Sequence, residues 1–260
     1  MTLYTESWGN PDLPTLFCIH GWASNRNVFK PLAELFKDHF HFVVVDLPGY
    51  GESAWSGDEA TYEPHRLVDA LLDVAPAKCV WVGWSLGGML ATLAASKAPA
   101  RVEKLITLST NAKFLADKKW KSGVPLPLFN GFMDSIDDVR TTLRRFAALC
   151  VVGEQSDMLV HLKWLQQETQ VPAPNSEVLR LSLECLRSID NREALVRLPV
   201  SCCHLLATDD AVVPHTVSQA LQGLNPKQIT SFTPNASHAC LVTQPQSVAN
   251  GMLAFLQGSQ

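Results

Sequence analysis

The chain has 260 residues, of which 47% are hydrophobic and 18% charged, with a formal net charge of -4 and a pI of about 6.0. This length can bury a substantial core, and the balance of apolar to charged residues argues against disorder. The acidic balance argues against a nucleic-acid binder, and no apolar run reaches the ~18 residues of a membrane helix.

The N-terminus lacks the basic and then apolar regions of a secretory signal. Seven cysteines is an odd count, and Cys18, Cys79, Cys202 and Cys203 fall in apolar runs where cysteine acts as a small hydrophobe. A reducing cytoplasm is therefore expected. The vicinal pair Cys202-Cys203 reads as core packing, not as a metal or redox site.

In chain order, short continuous apolar runs alternate with helical patterns. Strands are expected at 15–19, 42–46, 79–83, 105–108 and 203–207, with a weaker one at 229–232. Continuous runs mark strands covered on both faces, as in a parallel sheet. Helices are expected at 28–39, 65–75, 86–97 and about 245–256, from apolar residues three and four apart. The fold class is thus α/β: a mostly parallel, doubly wound sheet.

Residues 111–190 break the alternation. They hold helical patterns around 134–151, 157–169 and 177–188 and no convincing strand. We read residues 1–110 and 191–260 as one core domain and 111–190 as a helical lid, inserted on the side of the sheet where open α/β folds bind ligands.

The sharpest local signal is Gly83-Trp84-Ser85-Leu86-Gly87-Gly88, in which a buried strand runs through Gly-x-Ser-x-Gly into a helix. A nucleophile on so sharp a turn is crowded, and glycines two residues to either side relieve the clash. The turn also sets Ser85 beside a helix N-terminus, whose amides favour a developing oxyanion. A serine hydroxyl needs a base oriented by a carboxylate, and after such an elbow these follow in the order acid, then histidine. Two late loops supply them: Thr208-Asp209-Asp210-Ala211-Val212-Val213-Pro214, and Pro234 to Cys240 with His238. Asp209 and Asp210 both remain candidates for the acid, and Asp209 could instead cap the turn with its side chain. The loop His20-Gly21-Trp22 is expected to supply a second oxyanion amide, Trp22 N–H, beside Leu86 N–H, with the indole as a cavity wall. The loop 46–53 reads as scaffold. No cofactor or metal is expected.

With these motifs, and with Asp46-x-Pro48-Gly49-x-Gly51-x-Ser53 and Asp210-x-x-Val213-Pro214, the chain resembles the α/β-hydrolase superfamily along nearly its whole length. Within it, His20-Gly21-Trp22, Val45-Asp46-Leu47-Pro48-Gly49-Tyr50-Gly51, the serine elbow and Arg145-Phe146-Ala147-Ala148-Leu149 resemble the pimeloyl-acyl-carrier-protein methyl ester esterases of biotin synthesis. The resemblance implies a serine carboxylesterase with Ser85, Asp210 and His238 as its triad; the acid four residues before the proline selects Asp210. It also implies substrate contacts along Phe146, Ala147, Ala148, Leu149 and Cys150, where Cys150 stands in place of an expected glutamine.

A carrier protein is strongly acidic, so basic lid residues should meet it, with Arg140, Arg144 and Arg145 as candidates. Residues 111–190 hold ten Lys and Arg against ten Asp and Glu, so the rest of the chain carries the whole negative charge. A monomer acting on a small acyl ester, with no nucleic-acid or membrane partner, is expected. Rival readings are a general short-chain esterase, a lactonase, another lidded hydrolase with the same triad, or a receptor that uses the pocket without turnover.

Overall fold

Five of the six expected strands form the middle of one seven-stranded sheet and the sixth lies at its edge. The computed structural model describes residues 2–154 and 157–258. The strands are β1 (Thr5–Trp8), β2 (Thr15–Ile19), β3 (His41–Val45), β4 (Cys79–Trp84), β5 (Val102–Leu108), β6 (Cys202–Ala207) and β7 (Ile229–Thr233). They lie in the order β1-β3-β2-β4-β5-β6-β7, all parallel except β1, which pairs antiparallel with β3. β1 escaped the sequence reading because its four residues are partly exposed at the sheet edge and carry no apolar run. β4 and β6, by contrast, are buried at every position, which is why they read as unbroken apolar runs. Trp81 of β4 anchors the centre, packing edge-on against Phe17 of β2 at 4.8 Å between ring centroids.

The crossover helices are α1 (Lys30–Phe36), α2 (Pro64–Val74) and α3 (Leu86–Lys97). A short 3-10 turn at Arg26–Phe29 precedes α1, so the expected 28–39 helix is shorter than its apolar pattern. Nine of the twelve residues of α3 are buried, which explains its run of Gly, Ala and Leu with no polar face.

After β5 come α4 (Leu126–Met133), α5 (Val139–Cys150), α6 (Met158–Glu168) and α7 (Ser176–Ser188). α4 was missed because Pro125 and Pro127 stand at its start and its apolar residues surround the axis. The short α8 (Arg192–Val196) leads back to β6, and α9 (Val217–Leu224), α10 (Cys240–Thr243) and α11 (Pro245–Gln257) complete the chain. All seven cysteines are buried free thiols. Among the described residues no helix is long and apolar enough to cross a membrane.

The sheet register is what assembles a site. Trp84 at the end of β4 pairs with Leu108, Leu108 pairs with Leu205, and Ala207 pairs with Thr233. The carboxyl ends of β4, β6 and β7 therefore lie along one edge, the binding edge of an open parallel sheet.

Candidate active site

Ser85 joins β4 to α3 with φ 53° and ψ -116°, a left-handed conformation that costs a non-glycine residue of order 1–3 kcal/mol. The turn is held from both sides: Ser85 N–H donates to Leu108 O at 3.0 Å, while Ser85 O accepts from Gly88 N–H and Met89 N–H. The flanking glycines are a steric requirement. A Cβ on Gly83 would lie 2.3 Å from Gly87 O, and one on Gly87 would lie 2.0 Å from Ile19 O.

His238 is fully buried, and its Nδ1–H donates to Asp210 at 2.8 Å (Oδ2) and 3.0 Å (Oδ1). The proton is assigned to Nδ1 because a carboxylate can only accept there. Nε2 thus carries the lone pair, and it is buried with no hydrogen-bond partner among the described residues. No hydrogen bond joins it to Ser85 Oγ in this structure; such contacts commonly tighten only when substrate is bound. Asp210 is itself pinned, its Oδ1 accepting from Val212 N–H at 2.8 Å and Val213 N–H at 2.7 Å. One aspartate thus makes both the turn cap and the imidazole contact, while the Asp209 side chain is exposed.

Two supports were not anticipated. Trp84, the residue before the serine, donates its indole N–H to His238 O at 2.9 Å, with its ring 5.4 Å from the imidazole. Its place inside the elbow motif was the available signal. His20 is the other: Nδ1–H donates to Gly21 O at 2.7 Å and Nε2 accepts from Leu47 N–H at 3.0 Å, which ties the Trp22 loop to the loop after β3.

Burial holds the His20 imidazole below its ordinary value of 6.5, and burial likewise lowers His204, which sits between Thr107 Oγ1 and Gln228 Oε1. Both are neutral when folded, so below pH 6.5 the unfolded chain takes up protons first. Their contribution to stability is complete above about 6.5 and is lost as the pH falls toward their folded values. Two such groups give a slope of up to about 2.7 kcal/mol per pH unit. Urea unfolding at pH 7.5 and 5.5 should show the lower stability at 5.5; equal stability would contradict the neutral assignments.

Above the serine lies a narrow apolar cavity of about 20 Å³, lined among others by Trp22, Ser85, Phe129, Phe132, Phe146 and Leu149. The Trp22 indole is its wall, packed against Phe146 at 4.8 Å and Phe132 at 5.7 Å, with its N–H on Leu179 O of α7. Of the expected contact stretch in α5, Phe146 and Leu149 line this space. Ala147, Ala148 and Cys150 do not, because a helix turns neighbouring side chains to different faces. Cys150 is buried beside the acid loop, and burial, with the Asp210 charge second, holds its thiol well above the ordinary range. Arg140, Arg144 and Arg145 are exposed on α5, with Arg145 stacked 5.7 Å from the Phe132 ring.

Residues 16–250 match the model of an alpha/beta hydrolase family. The chain is 35% identical over 97% of both chains to a pimeloyl-[acyl-carrier protein] methyl ester esterase of Pectobacterium atrosepticum. It is also 35% identical, over 94% of both, to the protein of the same name from Vibrio campbellii. An esterase structure from Exiguobacterium antarcticum superposes with a TM-score of 0.87 at 16% identity, over 98% of this chain and 96% of the other. The chain belongs to the alpha/beta hydrolase family.

Proposed function

We propose that this protein is a serine carboxylesterase that hydrolyses the methyl ester of a pimeloyl chain carried on acyl carrier protein, releasing methanol in biotin synthesis. The observation that carries this reading is the buried Asp210–His238 pair at the strand edge that ends in the strained Ser85, beneath an uncharged cavity. Relatives that bear the esterase name over nearly the whole chain support the substrate.

In the reaction, His238 Nε2 takes the Ser85 Oγ proton as the oxygen attacks the ester carbonyl, and Asp210 stabilises the imidazolium. The oxyanion is held by Leu86 N–H, at a helix start where no intrahelical acceptor exists, and by Trp22 N–H. The Trp22 loop lies close by: a Cβ on Gly21 would be 3.2 Å from Ser85 Cβ. The imidazolium then protonates the departing methoxide, and water, deprotonated by His238, cleaves the acyl-enzyme. An apolar cavity suits a methylene chain at roughly 0.8 kcal/mol per buried CH₂. The insertion acts as a lid, and Arg140, Arg144 and Arg145 offer an acidic carrier protein three cations that make no salt bridge among the described residues. A cytoplasmic setting suits seven free thiols.

The test is complementation of a biotin-requiring strain that lacks its own esterase, joined to mass spectrometry of methyl pimeloyl-carrier protein incubated with the enzyme. Growth and demethylation are expected. Multiple turnover of p-nitrophenyl esters with neither would move the function to a general esterase, and labelling without any turnover would favour a receptor.

A further inference from the structure

The catalytic histidine sits on a loop with no regular secondary structure, so its precision must come from what grips the loop. Three backbone groups around it are held. Trp84 takes His238 O from the elbow side. The other two grips come from the insertion: Ser237 N–H donates to Glu154 Oε1 at 3.0 Å, and Ala239 N–H donates to Cys150 O at 3.0 Å. One peptide group on each side of His238 is therefore fastened to the last turn of α5 or the turn that follows it.

The same turn presses on the acid loop. Gly153 has φ +100°, and a Cβ there would lie 2.3 Å from Asp209 O, so the turn takes a conformation and an approach that only glycine permits. Asp209 N–H in turn donates to Ala236 O at 2.9 Å, joining the acid loop to the histidine loop. Glu154 Oε2 is buried with no hydrogen-bond partner among the described residues. Glu154 as a whole is half-buried, so it is the Oε1 contact with the Ser237 amide, and not a fully buried charge, that marks its role.

We propose that residues 150–154 are the seat that holds His238 in register, with Glu154 as a positioning residue that acts through the Ser237 amide. This rests on the triad reading above. The seat is continuous with the cavity wall: Phe146, one turn earlier on α5, lines the cavity and lies 6.5 Å from the imidazole. One helix thus carries a substrate-facing ring and the grip on the base, so a chain that fills the cavity and fixes α5 also fixes the histidine.

The test is kcat per active site, with sites counted by fluorophosphonate titration of Ser85 and a methyl ester as substrate. Glu154→Ala should lower kcat per titrated site by about ten- to a hundredfold, the scale of an ångström-sized misplacement, with KM within about twofold. Glu154→Gln keeps an acceptor oxygen for Ser237 and should recover most of the rate. If Glu154→Ala is not obtained folded, Glu154→Asp replaces it, since a carboxylate shortened by one methylene no longer reaches the amide. A purely structural role would lower the melting temperature and the titratable fraction but leave kcat per site as in the parent, and that result overturns the proposal. Failure of the reagent to modify Ser85 in the parent enzyme would overturn the triad reading instead.

Discussion

Replacing Ser85 with alanine is expected to lower kcat by a factor on the order of 10⁶, the loss seen when the nucleophile of a triad is removed. No residual route through His238 is available, because a base without an adjacent hydroxyl must activate bulk water in an apolar cavity. The fold should survive. Alanine keeps the Cβ that the elbow already accommodates, and the bonds that hold the turn, Ser85 N–H to Leu108 O and Ser85 O to Gly88 and Met89 N–H, are all backbone. The melting temperature should therefore shift by no more than about 2 °C, corresponding to roughly 1 kcal/mol in a domain of this size. Hydrolysis of a short p-nitrophenyl ester and a thermal melt measure the two quantities. Turnover within a hundredfold of the parent by a well-folded variant would remove Ser85 from the mechanism.

The second large effect is at the acid. In Asp210→Asn the carbonyl oxygen should remain on Val212 and Val213 N–H, since those two amides require an acceptor. The new amide nitrogen then faces His238 Nδ1 as a donor, so Nδ1 becomes the acceptor and the proton moves to Nε2. The lone pair that should take the serine proton is lost, and kcat should fall by about 10⁴. KM should change little, because Asp210 is not part of the cavity wall. Asp209→Asn is the control: its side chain is exposed and makes no contact with the imidazole, so near-parental kcat is expected. A larger loss in the Asp209 variant than in the Asp210 variant would reverse the assignment. Determining both variants on one ester under identical conditions settles the comparison.

Much of this architecture could be read from the chain alone. β2, β4 and β6 announce themselves because strands covered on both faces carry unbroken apolar runs, and Gly83, Ser85 and Gly87 because a strand-to-helix turn this tight admits no Cβ at the flanking positions. The partly exposed β1 and the proline-led α4 were silent, since neither has the periodicity of a half-buried element.

The sequence by itself determined the α/β class, the helical character of the stretch between β5 and β6, the serine elbow and the two loops that face it. Local residue types dictate each of these through backbone sterics and burial period. Only the tertiary structure decided that Asp210 both caps its turn and meets His238, that Trp84 and His20 brace the site, and that Phe146 and Leu149 face the cavity while Cys150 turns to the acid loop. Apart from the turn cap, those contacts join residues far apart in the chain, and no local pattern encodes which side chain of a helix will meet a partner that the sheet brings alongside.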